Sequence, residues 1–126
     1  MLFHLRATLF VILTLTACAF AADLTGKWKA EFTTPVGGTQ KYTFEFKADG
    51  AKLTGKAYFE RMGQKGEADL LEGKIAGDEI SFIENLDTGG DTLSITYKGK
   101  IAGDEIKFAR QVGDFSTVEF TAKRIK

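Results

Sequence analysis

The chain has 126 residues, with 17 Lys and Arg against 17 Asp and Glu, which suits one small domain and offers no basic surface for a nucleic acid. Its only His, His4, and its only Cys, Cys18, both precede residue 20, so disulfides, His-dependent nucleophiles and His/Cys zinc sites are excluded from the rest. Fourteen glycines and a single proline, Pro35, fit an all-β domain with many turns.

Residues 1–21 read as a secretory signal peptide. Arg6 lies in a short basic start, an apolar run covers 7–20, and Ala19 and Ala21 are the small residues ahead of a cleavage site. The apolar run is short for a membrane span. Leu15-Thr16-Ala17-Cys18 also fits a bacterial lipobox, which would leave Cys18 lipidated and tie the chain to a membrane. The short distance from Cys18 to the first strand favours cleavage after Ala21. On both readings the chain is exported, periplasmic or extracellular, and residues 22–126 form one domain.

Eight strands are predicted over 26–34, 39–47, 52–60, 66–75, 79–86, 92–101, 105–112 and 116–125, each ended by Gly-, Asp- or Pro-containing turns. The segment GKIAGDEISF at 73–82 returns as GKIAGDEIKF at 99–108, with Ser81 replaced by Lys107. Each copy is an alternating pattern broken by Ala-Gly-Asp, the sign of a β-hairpin, and two such hairpins imply an antiparallel meander. Period two points Trp28, Ala30, Phe32, Tyr42, Phe44, Phe46, Leu53, Ala57 and Phe59 inward. It does the same for Ile80, Phe82, Leu93, Ile95, Tyr97, Ile106, Phe108, Val118, Phe120 and Ala122. The fourth strand changes parity between Leu70 and Leu71, which predicts a bulge near 71–73. The expected fold is all-β, an eight-stranded antiparallel up-and-down barrel without a C-terminal helix, with a two-sheet sandwich as the alternative.

Gly26-Lys27-Trp28 resembles the GxW motif that opens the first strand of lipocalins and other calycins, and Arg124 stands where calycins place an Arg across that Trp. The resemblance implies a barrel whose closed end is sealed by Arg124 stacked on Trp28. The chain departs from lipocalins in lacking a C-terminal helix and disulfide. It departs from fatty-acid-binding proteins in lacking a helix pair after strand one and an Arg-x-Tyr ending. The stretches 22–28, 52–57, 77–80, 103–106 and 112–115 are similar to a group of small exported bacterial domains that open ADLTGKW and often carry glycoside hydrolase or xylanase labels.

The repeat sets Ile80-Phe82-Glu84-Leu86 against Ile106-Phe108-Arg110-Val112, so Glu84 and Arg110 both face inward, away from the Ala-Gly-Asp turns. An inward charge is costly unless it is paired or wet. One reading is a structural ion pair near the rim. The other is a polar anchor in an apolar pocket at the barrel mouth, walled by Tyr42, Phe32, Phe59 and Tyr97. The leading expectation is a secreted, monomeric, non-enzymatic binding domain for a small, partly apolar ligand. The alternatives are a carbohydrate-active enzyme or accessory module, with Glu84 and Glu60 or Glu67 as its carboxylates, and a structural envelope protein with a filled barrel. A carbohydrate ligand would want a row of exposed aromatics, and only Tyr58 and Phe115 are offered. No catalytic residue, cofactor or metal is assigned. Asp87-Thr88-Gly89-Gly90-Asp91 has too few ligands for a calcium loop and reads as a hairpin turn.

Overall fold

The computed structural model describes residues 24–35, 38–87, 89–114 and 116–126. The segments expected as a signal peptide and as a lipobox with Cys18, and Phe115, lie outside the described residues. The strands are β1 (Gly26–Thr34), β2 (Gly38–Asp49), β3 (Lys52–Arg61), β4 (Gln64–Asp69), β5 (Leu71–Ala76), β6 (Glu79–Asp87), β7 (Thr92–Ala102), β8 (Glu105–Val112) and β9 (Ser116–Arg124). Each pairs antiparallel with the next, except that β4 and β5 both pair with β3. They are two halves of one bent strand, so the ring is eight-stranded. Trp28 opposite Arg124 and Lys29 opposite Lys123 join β1 to β9 and close it. Closure removes the sandwich alternative.

Alternation does most of this work. On β2 the odd-numbered residues from Lys41 face out, while Gln40, Tyr42, Phe44 and Phe46 are buried. Phe82, Tyr97, Phe108 and Phe44 meet near the axis, with ring centroids 4.7 to 6.1 Å apart. This aromatic floor fills the barrel below its open end. Leu93, Val118 and Phe59 share the inward face but are half-buried, because they sit at strand ends near the mouth.

The parity change in the fourth strand is where the sequence put it. Pairing of β5 with β6 jumps between Leu71 and Lys74, Glu72 takes a left-handed φ of 51°, and Leu70 turns in while Leu71 turns out. The strand is nevertheless shorter in each half than a single 66–75 element, since the bend at Leu70 breaks it. At the closed end the two Ala-Gly-Asp turns adopt the same form. Gly77 and Gly103 have φ of 64° and 65° at the first central position of a two-residue loop, as a type II′ hairpin requires.

Trp28 is fully buried at this end, and its indole N–H donates to the Leu24 carbonyl at 3.0 Å. The Arg124 guanidinium lies 4.3 Å over the Trp28 ring. Its Nε donates to Asp104 and its Nη1 to the Thr25 carbonyl, both at 3.2 Å. Such a contact is worth about 0.5–2 kcal/mol.

Gly99 shows how tightly the wall meets the floor. A β-carbon there would stand 2.6 Å from Cε1 of Phe108 and 2.8 Å from Cγ2 of Ile106. Gly99→Ala is therefore expected to lower stability by about 1–3 kcal/mol, as overpacked cores do. Gly90→Ala, which meets nothing within 4 Å, should change it little. Equal denaturation midpoints for the two variants would contradict this packing.

Candidate functional site

The second halves of β1, β3, β6 and β8 and the first halves of β2, β7 and β9 converge on the open end. Here the inward series turns polar. Glu84 and Arg110 are buried, at 0% and 3% exposure, in a chain whose other described charged residues are mostly exposed. Tyr42 and Tyr97 are equally buried beside them.

Glu84 and Arg110 do not pair directly. The Tyr97 hydroxyl stands between them: it donates to Glu84 Oε1 at 2.8 Å and accepts from Arg110 Nε at 3.0 Å. The Tyr42 hydroxyl approaches both carboxylate oxygens of Glu84, at 3.1 and 3.2 Å. The ion-pair partner of Glu84 is Arg61, whose Nη2 reaches both Oε2 and the Tyr42 hydroxyl, while its Nε reaches that hydroxyl at 3.1 Å. The ladder explains the exchange of partners. Arg110 stands opposite Tyr97, and Glu84 stands opposite Ile95, so the repeat-related charges are offset across β7. Arg61 is the last residue of β3, which is separated from β6 by the bent β4–β5 strand.

Phe32 and Phe59 are the apolar walls expected from the sequence, and both lie against cations. The Arg61 guanidinium is 3.8 Å from the Phe59 ring centre, and that of Arg110 is 5.1 Å from Phe32. Phe59 itself covers Gly66, where a β-carbon would come within 2.6 Å of the ring. Leu86, Val112, Val118 and Phe59 pack on the core while keeping some exposure. They form an apolar rim above the polar cluster. The aromatic floor lies beneath it. The larger hollows, such as one of about 490 Å³ bordered by Lys74, Lys98 and Lys107, lie on the outer wall.

Two members of the site escape the sequence reading. Arg61 lies one residue past the predicted 52–60 strand, although it keeps parity with Phe59. Gln40 shares parity with Tyr42, is 7% exposed, and stands opposite both Phe32 on β1 and Arg61 on β3. Its Oε1 is buried without a hydrogen-bond partner. The carboxylates proposed to accompany Glu84 do not reach it. Glu60 and Glu67 alternate with inward residues and pair with Lys41 and Tyr58 on the outer face, and Glu67 is 3.8 Å from Lys56. Asp87 accepts the Gly89 N–H at 3.0 Å, which is ordinary turn geometry.

Inside the cluster, then, two guanidinium groups face one carboxylate. No carboxylate of the described residues lies within 4.0 Å of Arg110. Burial opposes the Arg110 charge, but its contacts with Tyr97 and Tyr42 outweigh that and hold its pKa above the usual value, so it stays a cation. Burial, then the neighbouring Glu84 carboxylate, push the Tyr97 phenol well up and the Tyr42 phenol up in the same way.

No family model and no curated protein matches the chain. Among solved structures, one described as "REP1-NXSQ fatty acid transporter" is similar at 15% sequence identity and a TM-score of 0.49, over 83% of this chain and 98% of that chain.

The two raised phenols set an alkaline limit on the cluster. A group whose pKa is higher in the folded state supports folding fully below its unfolded pKa, near 10 for tyrosine, and loses that support as pH rises through the folded value. Stability should accordingly fall above about pH 10, and fall less steeply in Tyr42→Phe/Tyr97→Phe, in denaturant titrations from pH 8 to 11. Parallel curves for the two proteins would remove the phenols from the account.

Proposed function

We infer that the chain is a non-enzymatic binding domain whose open end takes a small amphipathic anion. The observation that carries this is the charge balance: Arg61 and Arg110 stand against Glu84 alone, inside a barrel. Among the described residues Arg110 is met by the Tyr97 hydroxyl and by ring faces, with no carboxylate directly against it. An acid group arriving at the mouth would neutralise Arg110, and the half-buried rim of Phe59, Leu86, Val112 and Val118 would cover an apolar body. The calycin-like closed end, with Arg124 on Trp28, supports the same reading, since it leaves the opposite end as the mouth. The carbohydrate-active alternative has less support, because Glu60 and Glu67 lie outside the barrel.

One observation favours a second reading. Glu84 is wholly buried and the floor is packed with rings, as in a structural barrel that binds nothing. Titration with dodecanoic acid and with dodecanol separates the two. The acid is expected to bind at least about tenfold tighter, a difference of about 1.4 kcal/mol. Arg110→Met should lose that preference, because it removes the cation that would hold the acid. Equal affinity for acid and alcohol would overturn the anion site, and binding of neither would leave the filled barrel.

Export belongs to the same proposal, supported by the signal-peptide pattern of residues 1–21. The mass of the mature protein should correspond to a start at Ala22. A diacylated start at Cys18 would place it on a membrane instead, and an uncleaved chain would refute export through this segment.

A further inference from the structure

Among the described residues, Gln40 is the buried polar side chain of the mouth whose chemistry the cluster does not use. It lies on the inward face of β2, two residues before Tyr42, with Phe32 across one ladder and Arg61 across the other. At 7% exposure it is nearly closed to solvent, and its Oε1 has no donor. An unmet buried acceptor costs about as much as a lost hydrogen bond, and native chains carry few of them. Arg61, across the ladder, directs its Nε and Nη2 to Tyr42 and Glu84 instead.

A carboxamide oxygen can only accept. It has no use for the acid group itself, which the guanidinium groups would hold. It calls for a hydroxyl or amide N–H on the same ligand. The spacing follows from Phe32, which stands opposite Gln40 in the ladder and lies 5.1 Å from the Arg110 guanidinium, so the acceptor and the cation that takes the acid border one ring. A donor two or three bonds from the acid carbon suits two groups placed so. We propose that the ligand is an apolar-tailed acid carrying a hydroxyl close to its carboxylate, with Gln40 as the residue that selects it over the plain acid.

This rests on the anion-binding reading and is tested so that the two fail separately. Dodecanoic acid and 3-hydroxydodecanoic acid are titrated against the whole domain and against Gln40→Met, which keeps volume and removes the acceptor. The hydroxy acid should bind the unaltered protein about tenfold tighter than the plain acid. In Gln40→Met that preference should vanish while the plain acid binds as well or better. If both acids bind the unaltered protein equally, Gln40 selects nothing, although the anion site stands. If neither binds, the anion site itself falls. The comparison in the unaltered protein decides the matter even if Gln40→Met fails to fold.

Discussion

One carboxylate holds the open end of this barrel together. Glu84 is the only acidic side chain among the described residues that is fully buried, and it receives Arg61, Tyr42 and Tyr97 at once. Four elements therefore depend on it: the first half of β2, the middle of β7, the end of β3, and β6 itself. Were it removed, two guanidinium groups would remain in a site of low dielectric with only phenols and ring faces to meet them. Breaking a buried pair in that way costs more than the pair contributes, about 3–5 kcal/mol. The floor of phenylalanine rings makes the cost higher, because it leaves water no path from below.

Much of this was legible in the sequence, and the limits have a physical cause. Parity is a local property, so it placed Glu84, Arg110, Tyr42 and Tyr97 on the inner face and located the parity change at Leu70 and Leu71. Partner choice is not local. That Glu84 meets Arg61 and reaches Arg110 only through Tyr97 depends on β3 ending beside β6 across the bent β4–β5 strand, and on the offset of two ladder positions across β7. Arg61 and Gln40 were missed for a related reason. Each stands at or near a strand end beside a turn, where alternation has no further residue to confirm it. Gln40 is also a residue that composition places outside.

The tandem repeat explains why the site is asymmetric. Two copies of one hairpin bring corresponding positions to the same face, but one copy carries an acid and the other a base. Their glycines diverge as well. Gly73 abuts the Leu53 backbone beside the bend, while Gly99 abuts side chains of the floor. A duplicated unit thus serves two different neighbours, and the polar residues at its end differ accordingly.

The bend at Leu70 has a consequence for motion. Past Ile83, β6 has ladder partners only on the β7 side, because β4 leans toward β3. The segment from Glu84 to Asp87 is thereby secured along one flank. Such a seam is where a closed wall parts at a free-energy cost below that of global unfolding, with amide exchange faster than in the strands paired on both flanks. The carboxylate at its start would act as a latch, and the barrel would breathe beside its charged cluster rather than at the sealed end under Trp28.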